Sequence, residues 1–125
     1  MNDRSDNAAF IGLMRLGWIA AVLIVFWQAT LSNPAAATTQ INDKLGHFLV
    51  FFVLCYWGGW AWKQQQARYY LVGFLLLFGL AIECVQYVIP MRHFSLMDWL
   101  ADIGGVVFCQ LIWRQPIWVK KQASK

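Results

Sequence analysis

The chain has 125 residues, 60% of them hydrophobic and only 13% charged, with a formal net charge of +4. A soluble domain of this length cannot hide so much apolar surface, so the composition excludes an ordinary water-borne fold. Lipid accepts such side chains while forcing the backbone into helices or closed barrels, and long apolar runs without alternation point to helices.

Four apolar segments follow one another, at about residues 11–32, 45–62, 69–89 and 96–113, each close to the roughly 20 residues that span a bilayer. The first is preceded by MNDRSDNAAF, whose acids Asp3 and Asp6 and lack of a convincing small-residue cleavage site favour a retained helix over a removed signal peptide. NPAAATTQIN (33–42) is a small polar loop with a proline. KQQQAR (63–68) and PMRHF (90–94) are short connectors that make neighbouring helices antiparallel. RQPIWVKKQASK (114–125) reads as a basic tail broken by Pro116. A single all-α domain is expected, a polytopic bundle of four transmembrane helices.

The basic residues orient this plan. Arg4, Arg15, Lys63, Arg68, Arg114, Lys120, Lys121 and Lys125 fall on one side, and only Lys44 and Arg92 on the other. Lysine and arginine are retained in the cytoplasm, so both termini are expected inside. Their positions at segment ends, not along a stripe, argue against nucleic acid as a partner. Trp57, Trp60, Trp62, Tyr69, Tyr70, Trp113 and Trp118 would form an aromatic belt at the inner interface. Cys55, Cys84 and Cys109 lie inside apolar segments without a CxxC pair, and read as small hydrophobes.

Of the six acids, only Asp3 and Asp6 share the side of the termini; Asp43, Glu83, Asp98 and Asp102 gather toward the opposite one. The second helix opens with DKLGHF, where Asp43 and His47, four residues apart, share a face. Taken singly, Asp43 suits a helix first turn and Lys44 an interfacial snorkeler. The third helix ends in IECVQYVIP, with Glu83, Gln86 and Pro90 on one stripe. Glu83 lies about 10 Å inside the helix end at the α-helical rise. A carboxyl near the bilayer centre costs about 2.5–3.5 kcal/mol on insertion scales, so Glu83 is expected to face the bundle and find a partner there.

In FSLMDWLADIGGVVFCQ, Asp98, Asp102, Gly105 and Cys109 fall on one face of the fourth helix. Ser95 and Asp98 form an S-x-x-D capping box, which accounts for Asp98 and not for Asp102 one turn deeper. Gly104 and Gly105 would admit a neighbouring helix closely. The antiparallel hairpin sets Glu83 and Asp102 at matched depth, two carboxylates that need Lys44, His47 or Arg92 nearby to balance their charge.

DKLGHF followed by E-x-x-Q-x-x-x-P-x-R-x-x-S-x-x-D-x-x-x-D-x-x-G resembles the VanZ-like family of small bacterial membrane proteins, over about half the chain. The family pattern falls on Asp43, Lys44, His47, Glu83, Gln86, Pro90, Arg92, Asp98 and Gly105. Asp102 departs from it, because the family usually has asparagine there, and an added ionisable group puts in doubt any role that needs a neutral amide. The family is named for an accessory protein linked to low-level teicoplanin resistance, so the resemblance implies a place in the cell envelope and no defined reaction.

The leading expectation is a non-enzymatic membrane protein whose outward-facing polar pocket binds a lipid head group, a lipid-linked cell-wall precursor or an amphipathic drug such as a glycopeptide. Asp43, Lys44, His47, Glu83, Gln86, Arg92, Asp98 and Asp102 would form that pocket, with Lys44 and Arg92 as anion ligands. One alternative is a membrane-embedded enzyme on a lipid-linked substrate, with His47 or Glu83 as general base, although neither GxSxG nor HExxH occurs. Others are proton-coupled transport through the carboxylates and a purely structural cluster. No cofactor is expected, and no metal, since His47 and His93 lack a ligand spacing. Membrane lipids are the expected partners, with oligomerisation left open.

Overall fold

In a computed structural model, which describes residues 3–31, 40–90 and 94–123, the chain forms four helices. They are α1 (Asp3–Thr30), α2 (Gln40–Ala61), α3 (Gln65–Val88) and α4 (Leu96–Ala123), with no strand among the described residues. Three stretches, within α1, along α3 and over Leu96–Trp113 of α4, are long and apolar enough to cross a membrane. α2 is less apolar over that length because it begins QINDKLGH and ends YWGGWA. The outer surface agrees: Phe10, Leu13, Leu23, Trp27, Leu77 and Leu111 are all exposed, which lipid accommodates and water would not. The expected all-helical membrane architecture is the one observed.

The helices run beyond the apolar segments: α1 starts at Asp3, α2 at Gln40 and α3 at Gln65, and α4 continues past its apolar span and Pro116 to Ala123. A proline within a helix forfeits one backbone hydrogen bond and crowds the carbonyl four residues earlier, which strains the helix without having to end it. Arg92, His93 and most of the 33–42 loop lie outside the described residues, as do the side chains from residue 114 onward, Trp118 among them.

α2 and α4 make the most extensive contact in the bundle. Gly105 explains how they come so close: a β-carbon there would run into Phe48 O and stand 3.0 Å from Phe52 N, so the two backbones lie directly against each other. Phe51, Leu54 and Cys55 of α2, Leu75 and Ile82 of α3, and Val106 and Cys109 of α4 fill the core. α1 packs on α2 and α3 but not on α4 among the described residues. Trp18 fastens it, burying its ring in that core and donating its indole N–H to Leu54 O at 2.8 Å.

The helices run alternately up and down, which gives the bundle two unlike ends. Where α1 and α3 begin and α2 ends, Trp60 and Trp113 meet edge-on at 5.6 Å and Trp18 and Trp62 at 5.2 Å. Arg68 stands 4.4 Å over the Trp113 ring and Lys63 5.6 Å over Trp60. Arg15 covers Trp62 and donates from Nε to Ala61 O at 3.1 Å. The polar cluster occupies the other end.

Candidate functional site

The cluster is assembled from the first turns of α2, the last turns of α3 and the first turns of α4. His47 is its centre. His47 Nδ1 lies 2.9 Å from Asp102 Oδ1, and its Nε2 3.9 Å from Asp98 Oδ2. Lys44, its side chain half-buried, places Nζ 4.0 Å from Asp98 Oδ1 of the same carboxylate. The periodicities that put Asp43, Lys44 and His47 at the start of one helix and Asp98 and Asp102 on one face of another thus converge, because α2 and α4 touch along the stretch that Gly105 opens.

Glu83 enters from α3. It is 0% exposed and accepts the backbone N–H of Ser95 on Oε2 at 3.0 Å. Asp102 is 1% exposed. Glu83 Oε1 and Asp102 Oδ2 are buried with no hydrogen-bond partner among the described residues. Glu83, His47 and Asp102 each place one potential ligand atom within 4.8 Å of the other two, and Asp43, His47 and Asp98 do the same nearer the surface. The matched depth expected of Glu83 and Asp102 on adjacent helices is therefore what the packing produces.

Two expectations are redrawn. The Ser95–Asp98 capping box is half formed: Ser95 Oγ accepts the Asp98 N–H at 3.3 Å, but the Ser95 N–H goes to Glu83. The Asp98 carboxylate is left to face Lys44 and His47. Gln86, on the same stripe as Glu83, turns its amide N–H to α1 and not to the cluster among the described residues. Its Nε2 donates to Ala29 O at 3.2 Å, satisfying one of the carbonyls that the end of α1 leaves without an intrahelical partner. Arg92 falls outside the described residues.

Two contributors act in ways that side-chain chemistry did not signal. Ser95 matters through its backbone, which depends on how the chain turns from α3 into α4. Gly79 matters by having no side chain: a β-carbon there would stand 2.8 Å from Asp102 Oδ2, so this glycine makes the space into which the carboxylate fits. The only hint was position, since Gly79 precedes Glu83 by four residues and shares its face.

The arrangement has definite chemical capacities. A histidine that gives Nδ1–H to a buried carboxylate is held in one orientation with Nε2 free to act as a base. Several carboxylates beside an imidazole can equally hold a cation. Lys44 is already turned to Asp98, so the described residues make the cluster more acidic than basic.

Comparison with known proteins follows the same lines. The VanZ/LLP1 family matches residues 3–119, which covers α1 and most of α4 as well as the 43–105 stretch that carries the motif. The chain is also similar to "Uncharacterized protein C11E3.10" of Schizosaccharomyces pombe, with 30% identity over 94 residues that cover 73% of this chain and 58% of the yeast protein. The chain thus spans less than two thirds of that relative's length. No solved structure matches it.

Proposed function

The chain belongs to the VanZ/LLP1 family, and from that premise we propose that it binds the polar head of a membrane amphiphile at the end of the bundle where α2 and α4 begin. The observation that carries this reading is the gathering of Asp43, Lys44, His47, Glu83, Asp98 and Asp102 at one end of helices whose outer surfaces are otherwise apolar. A head group with both phosphate and polar substituents would meet the Lys44 ammonium through its phosphate and the carboxylates through its polar substituents. The Lys and Arg count supports an orientation with both termini inside and this end outward.

A relative in fission yeast favours a ligand that bacterial and fungal membranes share, a lipid phosphate head group, over a bacterial cell-wall precursor or a glycopeptide. Native mass spectrometry of the protein released from lipid nanodiscs tests the proposal. Wild type should retain a defined phospholipid that the Lys44→Ala/Arg92→Ala variant has lost. Identical retained lipids in the two would sink it.

A second reading is favoured by the His47–Asp102 contact of 2.9 Å. With Nδ1–H held by Asp102, Nε2 is placed to take a proton from water, and the protein would hydrolyse a lipid-linked ester instead of only holding it. Incubating purified protein with radiolabelled membrane phospholipids separates the readings. Release of a water-soluble fragment that His47→Gln abolishes supports hydrolysis, and intact lipid throughout leaves binding alone.

A further inference from the structure

We propose that His47, Glu83 and Asp102 form a site for a divalent first-row transition cation, Zn2+ or Mn2+, held between α2, α3 and α4. No single helix carries a ligand motif, which is why the sequence offers no metal signature. The bundle supplies the set by bringing one donor from each helix to within 4.8 Å of the others.

Three features of the cluster go beyond a chance meeting of acids. Glu83 and Asp102 are 0% and 1% exposed, and each has one carboxylate oxygen, Oε1 and Oδ2, without a hydrogen-bond partner among the described residues. Buried polar atoms are normally satisfied, and a bound cation satisfies two carboxylates at once while balancing their charge in a low-dielectric interior. One pair already stands near ligand spacing. With metal–ligand bonds of about 2.1 Å, adjacent ligands stand about 3.0–3.4 Å apart, and His47 Nδ1 and Asp102 Oδ1 are 2.9 Å apart.

The surroundings supply the third feature. A metal-bound histidine usually directs its other ring N–H at a carboxylate, which fixes the tautomer and the ring plane. With Nδ1 on the cation, His47 Nε2–H would face Asp98 Oδ2, now 3.9 Å away, and Lys44 stands behind that carboxylate. Gly79 holds the space for Asp102. An imidazole donor beside two carboxylates selects against Mg2+ and Ca2+, which prefer all-oxygen shells. The site stands apart from the amphiphile reading, since a cation is measured with no lipid ligand added.

Full-length protein in detergent micelles, stripped with chelator and titrated with MnCl2 while electron paramagnetic resonance follows free Mn2+, provides the test. One ion per chain should bind, and pulsed spectra of the bound ion should show nitrogen hyperfine coupling from an imidazole. ZnCl2 should displace it, and MgCl2 should not. Glu83→Gln and Asp102→Asn, close in shape to the native side chains, should each weaken Mn2+ binding about tenfold or more, and His47→Gln should remove the nitrogen coupling. Lys63→Gln, at the opposite end of the bundle, should bind as wild type does. The proposal is overturned by wild type that binds no stoichiometric Mn2+, by bound Mn2+ without nitrogen coupling, or by Glu83→Gln binding as tightly as wild type. The first two outcomes need no variant to fold.

Discussion

The two ends of the bundle handle charge in opposite ways. At the end where α1 and α3 begin, Arg15, Lys63 and Arg68 rest against Trp62, Trp60 and Trp113, cations on ring faces with their heads toward the interface. At the other end the charged groups are mostly acids, turned inward and shielded: Glu83, Asp98 and Asp102 are buried around His47. Long basic side chains reach the membrane surface along apolar stems and lose little by being there. Short carboxylates cannot snorkel, so burying three of them costs stability unless something compensates. One end has the character of an anchor, and the other retains a costly arrangement that packing alone would not select.

Removing one group from each end should expose this difference. The largest effect is expected from Asp102→Ala, which leaves His47 facing an emptied buried site and should lower stability by about 3–5 kcal/mol, read as thermal unfolding in detergent. Arg68→Ala, which removes the closest cation from the Trp113 ring, should cost about 1–2 kcal/mol. Equal losses at the two sites would erase the distinction. Between these lies a test of the helix contact that holds the acidic end together. Gly105→Ala puts a methyl group against Phe48 O and should cost about 1–3 kcal/mol, whereas Gly104→Ala meets Phe48 Cδ2 at an ordinary 3.5 Å and should be nearly neutral.

The two ends also differ in how far the sequence foretold them. Lipid demands long apolar runs and rewards basic residues and aromatics at their margins, so the four helices and the Trp60–Trp113 end are written in composition and order. The helical turns beyond the apolar runs are not, among them α4 past Pro116, because a proline weakens a helix by an amount that context decides. At the acidic end, helical period placed Asp43 with His47 and Asp98 with Asp102, and the hairpin placed Glu83 level with Asp102. Period says which residues share a face and nothing about which neighbour that face meets. That is why Gln86, on the stripe of Glu83, could be assigned to the cluster when its amide reaches α1 at Ala29 O instead. The same blindness hides His47, Glu83 and Asp102 as a set, since each stands on a different helix and spacing rules act within one segment.

The smallest expected effect on stability is the most telling about use. Lys44 is the one described cation at the acidic end, its side chain 34% exposed and 4.0 Å from Asp98. A pair that open to solvent and that long contributes about 0.2–1 kcal/mol, so Lys44→Gln should unfold within about 2–4 °C of wild type for a chain of this size. Lys63→Gln, which removes the cation over Trp60 at the opposite end, should be as mild. If the ends differ only in how they bury charge, the two variants will be indistinguishable in every assay. If the acidic end takes a head group, Lys44→Gln alone should release the phospholipid retained in native mass spectra, because its ammonium is the exposed positive charge beside carboxylates that repel phosphate. Lys63→Gln would retain it, since a lysine held over a ring in an aromatic belt positions the helix and meets no ligand.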